Sequence, residues 1–266
     1  MAEVLHGLGS RGIVTGIVQS SSPIWQSVTP DAFAAARPSL LTGMVELWLA
    51  DLDALQDWAD AHAPWLAPTE RQRAARITHR VTRAHFETSR VVLRGVLAQH
   101  LGMHPCDISL RSAPHGKPEL AVEYHDLRCN WSHSRNLFLL AITRGTEVGV
   151  DIEAPRSVAR AAQLANKVFS SAEIALLQDG INTSAAARDA LFLTVWTRKE
   201  ALLKMHGSGF TVSARDFHVG AEPSGQTGAA TVRSVQLPWP GHAAVALETT
   251  DPVAVRGFIL GSLPGL

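Results

Sequence analysis

The chain has 266 residues, 46% hydrophobic and 18% charged, which is enough apolar material to bury a core and excludes an intrinsically disordered chain or a disulfide-stapled miniprotein. Lys plus Arg and Asp plus Glu number 24 each, so the formal net charge is zero and the basic excess of a nucleic-acid or membrane-surface protein is missing. Cys106 and Cys129 are too few for a disulfide framework and lack CxxC spacing; with no signal-like N-terminus and no run of about 18 apolar residues, the expected location is cytoplasmic, without a membrane span.

Residues 1–42 carry Gly, Ser and Pro in clusters and read as an extension of undetermined order. Its GLGSRG run at 7–12 matches a dinucleotide fingerprint in letters only, since no strand precedes it and no good helix follows. Val45, Leu47 and Leu49 alternate with polar neighbours as in a half-buried strand. Over 68–101 the period changes to that of a helix. Apolar residues recur at Ile77, Val81, Phe86, Val92, Leu93, Val96 and Leu97, with arginines at 71, 73, 76, 80, 83, 90 and 94, which predicts one or two amphipathic helices ending at Gly102.

Residues 106–112 read as a strand and APHGKP as a turn. The runs at 137–143 and 148–152, joined by RGTE, read as a β-hairpin. Ser170 and Glu173 form a capping box that opens a short helix, and 185–206 is a longer helix closed by Gly207. The tail alternates strands (DFHVG, TVRSVQL, AAVALET, VAVRGFIL) with turns, one of them the AEPSGQTG loop. Strands and helices in this order predict two α+β halves, 43–146 and 147–266, meeting near Glu147.

Chemistry concentrates in four places. Asp151 and Glu153, two apart on a strand, share one face, where two anions fit a solvated strand end or a hard cation such as Mg²⁺. Glu200 and Lys204 are an i,i+4 helix pair, ordinarily a solvated one, but Phe192, Leu193, Trp196 and Leu203 around them point to a half-apolar face. Asn130-Trp131-Ser132-His133-Ser134 is either a strand-entry turn or a set of phosphate donors, and Gly116-Lys117-Pro118 sets a lysine on a rigid turn. The histidines show no metal-ligand spacing.

Taken in order, the basic helix, HGKPEL, NWSHS, EVGVDIE and WTRKEALLK resemble the 4'-phosphopantetheinyl transferase superfamily, specifically its larger Sfp-type enzymes, over about residues 45–260. The resemblance implies an α+β fold: a pseudo-twofold pair of similar halves, each a long helix packed on a small antiparallel sheet, with the site in the cleft between them. It implies transfer of the 4'-phosphopantetheine arm of coenzyme A to a serine of an apo acyl or peptidyl carrier protein, with release of adenosine 3',5'-bisphosphate, by a monomer. By the same resemblance Asp151, Glu153 and Glu200 hold Mg²⁺, Glu200 is the candidate general base, and Lys204 contacts the phosphates. Lys117 is implied as a coenzyme A contact, Ser132 and His133 grip the nucleotide 3'-phosphate, and Arg73 and Arg90 are candidates for the same phosphate. The arginine-rich 71–94 segment and the 169–177 region are candidate surfaces for an acidic carrier. Trp131 departs from the smaller aliphatic residue usual between Asn and Ser, and the N-terminal extension has no counterpart.

Two other readings compete. A coenzyme A or carrier-binding module that has lost catalysis would not need Asp151, Glu153, Glu200 and Lys204, all of which are present. A Mg²⁺-dependent pyrophosphate hydrolase would use the same carboxylates with water as acceptor.

Overall fold

The computed structural model describes residues 23–30, 40–112, 118–121, 124, 126–179, 184–207 and 213–261. Strand β1 (Trp25–Val28) lies inside the segment read as an extension, and β2 (Met44–Asp51) opens the first half. Helices α1 (Gln56–Ala61), α2 (Pro68–Ala75) and α3 (Arg80–Leu101) follow, then strands β3 (Leu110–Ser112), β4 (Pro118–Leu120), β5 (Leu127–Ser134), β6 (Leu137–Arg144) and β7 (Val148–Glu153). The remainder runs through α4 (Ala161–Val168), α5 (Ser171–Asp179), α6 (Ala185–His206), β8 (Ser224–Thr227), β9 (Ala230–Ser234), β10 (His242–Leu247) and β11 (Ala254–Leu260).

Both long helices end where the glycines require. Gly102 and Gly207 take the left-handed conformation, at φ of 63° and 65°, that closes a helix C-terminus without a Cβ clash. Ser184 caps the start of α6 by accepting from Ala187 N–H at 3.2 Å. The long basic stretch breaks into two helices: α2 closes at Arg76, and His79, extended at ψ 118°, caps the start of α3 by accepting from Thr82 N–H at 3.3 Å. Glu70 then ties the pieces, accepting from Ala67 N–H at 2.9 Å and from Arg94 Nε at 2.6 Å.

The strands form a five-stranded sheet in the order β1-β11-β2-β6-β5 and a four-stranded sheet in the order β7-β10-β9-β8. Val92, Leu93, Val96 and Leu97 of α3 pack on Trp48, Leu140 and Ile142 of the first sheet, and Phe192, Leu202 and Met205 of α6 pack on the second sheet's Val232, Ala244 and Ala246. A third cluster lies between the sheets, drawn from Val45, Leu47 and Leu49 on one side and Val148, Val150 and Val245 on the other. The α+β class read from the sequence holds, with one long helix on each sheet.

Five local readings change. Residues 106–112 are not one strand: Pro105–Asp107 form a 3-10 turn and only Leu110–Ser112 is extended and paired, as β3. Strand β2 is buried on both faces, because α3 covers one and the second sheet the other. The runs around Gly145 are not a hairpin: β6 is already paired on both edges, by β2 and β5, so the chain turns at Gly145 (φ 71°) and passes to the other sheet, where β7 pairs with β10. The hairpin partner of β6 is β5, across the two-residue turn Arg135-Asn136. The AEPSGQTG run contains β8, which pairs with β9, whereas DFHVG is not a strand.

The last strand, β11, returns to the first sheet and pairs in parallel with both β1 and β2. The first sheet is therefore mixed, antiparallel only from β2 to β5. Gly257 permits the β1 contact: a Cβ there would lie 2.7 Å from the Trp25 ring. Among the described residues no helix is long and apolar enough to cross a membrane.

Candidate active site

Strand period and helix packing together build the cleft. On β7 the even positions Val148, Val150 and Ile152 face the core between the sheets, so Gly149, Asp151 and Glu153 face α6. Gly149 is where helix and strand meet most closely: a Cβ there would lie 2.0 Å from Ala201 O and 2.3 Å from Met205 N. That contact brings Lys204, one residue before Met205, onto Asp151, with Nζ 2.6 Å from Oδ1, 3.2 Å from Val150 O and 2.9 Å from Ser132 Oγ.

The outer edge of β7 runs beside β5, and side chains replace a backbone ladder there. Asn130, Ser132 and Ser134, on one face at two-residue spacing, reach across in register. Val150 N–H donates to Asn130 Oδ1 at 2.9 Å, Ser132 Oγ donates to Asp151 Oδ1 at 2.7 Å, and Ser134 Oγ donates to Glu153 Oε2 at 2.8 Å while accepting from Ala154 N–H at 3.1 Å. Glu153 also meets Arg156 Nη2 at 3.3 Å.

Burial pushes the Asp151 carboxyl above the usual range, against the pull of Lys204 and the Ser132 hydrogen bond. Burial likewise raises Glu200, and the charges of Asp151 and Glu153 add to it, so the three acids sense one another across the cleft. Asp151 Oδ2 is buried without a hydrogen-bond partner. An oxygen-only donor set with one orphaned carboxylate oxygen fits a hard divalent cation. The three acids are not gathered to ligand spacing, however. Among the described residues the group of three donors within 4.8 Å of one another is His104, Cys106 and Asp107.

A cationic wall adjoins the acids. The Arg90 guanidinium lies between two aromatic faces, 5.1 Å from the Phe86 centroid and 4.6 Å from that of Trp131, and Arg73 covers Phe86 at 5.3 Å. Burial lowers Arg90 to about 10, so it stays charged at neutral pH. Partial burial of the His133 ring lowers its pKa, and Lys204, Arg90 and His85 lower it further. These neighbours favour the neutral ring, and an anion bound beside Lys204 and Arg90 would favour its protonated form.

The structure thus joins Ser132, Asp151 and Lys204 directly, reaches Glu153 through Ser134, couples Glu200 to both acids by charge, and sets Arg73, Arg90 and His133 on the cationic wall. Lys117 lies outside the described residues. Lys199 and Arg198, flanking Glu200, turn away: Lys199 Nζ donates to Ala214 O at 2.7 Å, to Phe217 O and to Glu173 Oε2 at 2.9 Å, and Arg198 grips Val219 O at 2.7 Å. They anchor the segment after α6. Within the 169–177 candidate surface Phe169, Glu173 and Leu177 are buried, whereas Ser171, Ala172, Ala175 and Leu176 are exposed. Sequence reasoning missed Gly149, Ser134 and Phe86 as site builders. Ser134 could have been found from its two-residue spacing to Ser132, and Gly149 from the absence of a side chain one alternation before Asp151.

Acidic groups of β7 and α6 thus stand beside cationic and aromatic groups of α3 and β5, at the join of the two sheets. Residues 147–249 match the 4'-phosphopantetheinyl transferase superfamily. The chain is 32% identical over 173 residues to 4'-phosphopantetheinyl transferase HetI of Nostoc sp., covering 64% of this chain and 72% of that protein. It is 29% identical over 169 residues to the putative 4'-phosphopantetheinyl transferase slr0495 of Synechocystis sp. (62% and 66% coverage), and 24% identical over 174 residues to 4'-phosphopantetheinyl transferase Sfp of Bacillus subtilis (65% and 72%). The chain belongs to the 4'-phosphopantetheinyl transferase superfamily.

Proposed function

We propose that the protein transfers the 4'-phosphopantetheine arm of coenzyme A to a serine hydroxyl of an apo acyl or peptidyl carrier protein, in the cytoplasm and as a monomer. The observation that carries this reading is the Ser132–Asp151–Lys204 cluster, with Glu200 and Glu153 beside it, in a chain of this superfamily.

Asp151, Glu153 and Glu200 would hold Mg²⁺. When bound, the ion supplies charge neutralisation on the pyrophosphate oxygens. Glu200, on α6, has its carboxyl pushed up by burial and by the charges of Asp151 and Glu153, which makes its ionised form a stronger base than an ordinary glutamate, and that form accepts the proton of the carrier serine. The serine oxygen forms a bond to the phosphorus of the pantetheine arm, and the bond from that phosphorus to the bridging oxygen breaks, releasing adenosine 3',5'-bisphosphate. Lys204 moves between Asp151 and a phosphate oxygen. Ser132 orients Asp151, while His133, Arg90 and Arg73 bind the nucleotide 3'-phosphate, and Lys117 is a further coenzyme A contact. The exposed arginines of α2 and of the first turns of α3, with Leu176 on α5, are the surface offered to an acidic carrier.

The test is intact-mass analysis of apo carrier proteins after incubation with enzyme, coenzyme A and Mg²⁺, with and without chelator. A chelator-sensitive gain of one phosphopantetheine is expected. Tight coenzyme A binding with no modified carrier would favour a binding module, and adenosine bisphosphate released equally without a carrier would favour a hydrolase.

A further inference from the structure

The turn after α3 carries a second group of donors, remote from the transferase chemistry. His104, Cys106 and Asp107 are exposed, and one donor atom from each lies within 4.8 Å of the other two. His104 Nδ1 is 3.0 Å from Cys106 Sγ, which donates to Asp107 Oδ1 at 3.3 Å.

The backbone beneath them is held by the core. Pro105 is buried and its ring fixes φ. Its carbonyl accepts from Arg94 Nη1 at 2.8 Å, and the same nitrogen donates to Ile108 O at 3.1 Å. Arg94 is itself buried and locked by Glu70 at 2.6 Å. On the far side the Tyr124 hydroxyl accepts from Ser109 N–H at 2.8 Å and donates to Asp107 O at 3.4 Å. A rigid turn therefore presents an imidazole nitrogen, a thiol sulfur and a carboxylate oxygen together.

We propose that His104, Cys106 and Asp107 form a site for a borderline transition-metal ion, Zn²⁺ by donor chemistry, separate from the carboxylate cleft. Mixed sulfur, nitrogen and oxygen donors suit Zn²⁺ and Co²⁺ and are poor ligands for Mg²⁺. Bonds of about 2.0 Å to nitrogen and about 2.3 Å to sulfur at a tetrahedral angle separate those two atoms by roughly 3.5 Å. The observed 3.0 Å between Nδ1 and Sγ needs only a small opening to admit an ion. On binding, the S–H bond breaks, sulfur bonds to the metal and the proton passes to solvent. Asp107, by accepting that proton's hydrogen bond, holds the free thiol above its usual pKa, so Cys106 alone is a poor nucleophile. The fourth coordination position is left to water.

The experiment is a titration of the metal-stripped full chain with Co²⁺ alone, reading the near-ultraviolet sulfur-to-cobalt charge-transfer band. Asp151, Glu153 and Glu200 offer only oxygen and cannot give this band, so the test stands whether or not the transferase reading does. A band saturating at one Co²⁺ per chain, bleached by Zn²⁺ and lost in Cys106→Ser is expected; Cys129 is buried on β5 and supplies no alternative thiolate. No band in the wild-type chain, or a band that survives in Cys106→Ser, overturns the site. His104→Ala should weaken Co²⁺ binding roughly 10–100-fold, at least the loss that outer-shell partners cause. Asp107→Asn separates the two roles of that residue. As a ligand its loss weakens binding, whereas if it only holds the thiol proton its loss frees the thiolate and binding tightens, which would overturn the three-donor site.

Discussion

The Lys204 ammonium and the Asp151 carboxylate, 2.6 Å apart, form an ion pair between a helix and a strand, and Ser132, on an edge strand of the other sheet, bonds to both. One helix and two strands from different sheets therefore share one charge cluster. Removing the lysine leaves Asp151, 5% exposed, without its counter-charge. Lys204→Met should lower stability by about 2–3 kcal/mol, less than the 3–5 typical of fully buried pairs because the ammonium is partly exposed. Added Mg²⁺ should restore more stability to this variant than it gives the wild type, since no ammonium competes for Asp151. Thermal denaturation with and without Mg²⁺ checks both; equal Mg²⁺ effects would remove Asp151 from the metal site.

The contact of Gly149 with α6 sets the spacing of that cluster. Gly149→Ala must push Ala201 and Met205 away from the strand, a strain of about 1–3 kcal/mol. Because Glu200 and Lys204 move with the helix, transfer should fall by about 100-fold, the cost of an ångström-scale misplacement. Denaturant unfolding and carrier-modification rates measure the two effects separately. Wild-type rates in a destabilised variant would show that the spacing does not govern the chemistry.

Trp131 acts as a support for Arg90. Trp131→Ala should weaken coenzyme A binding about 2- to 30-fold, the range of one cation–π contact, while affinity for the analogue lacking the 3'-phosphate stays unchanged. Calorimetric titration of both ligands decides; equal losses would assign Trp131 to the base or the pantetheine arm instead.

Glu173 stabilises the fold in a pH-dependent way. Burial pushes its carboxyl up, but the Lys199 hydrogen bond and the N–H groups of Val219 and Ser170 outweigh that and hold its pKa below the ordinary glutamate value. A depressed folded pKa means that the contribution is complete above the unfolded pKa and is lost as pH falls through the folded one. Glu173→Gln should therefore cost stability at about pH 7 and flatten the acid limb of the stability curve. Urea unfolding across that range tests it, and an acid limb parallel to that of the wild type would refute it.

Much of the cleft was legible in the sequence because it depends on local period. Alternation along VGVDIE places Asp151 and Glu153 on one face, four-residue spacing stacks Glu200 under Lys204, and Gly102 and Gly207 end the helices at the expected positions. Lys199 shows the limit of such reasoning. It lies five residues from Lys204, about 140° around the helix, so the two lysines serve opposite sides. Only the folded chain reveals that Lys199 is spent on Glu173.

What the sequence determined by itself is a set of features whose cause lies within a few residues: the long helices, the glycines that end them, the shared face of Asp151 and Glu153 and the identity of the charged groups. What the tertiary structure decided is partnership. Strand β6 could have paired forward across Gly145, but β2 and β5 already satisfied both of its edges. Strand β1 found its partner in β11, more than two hundred residues away in the chain. A strand's hydrogen-bonding edge carries no record of which distant segment will meet it, so pairing, and the cleft that pairing creates, emerge only when the whole chain is packed.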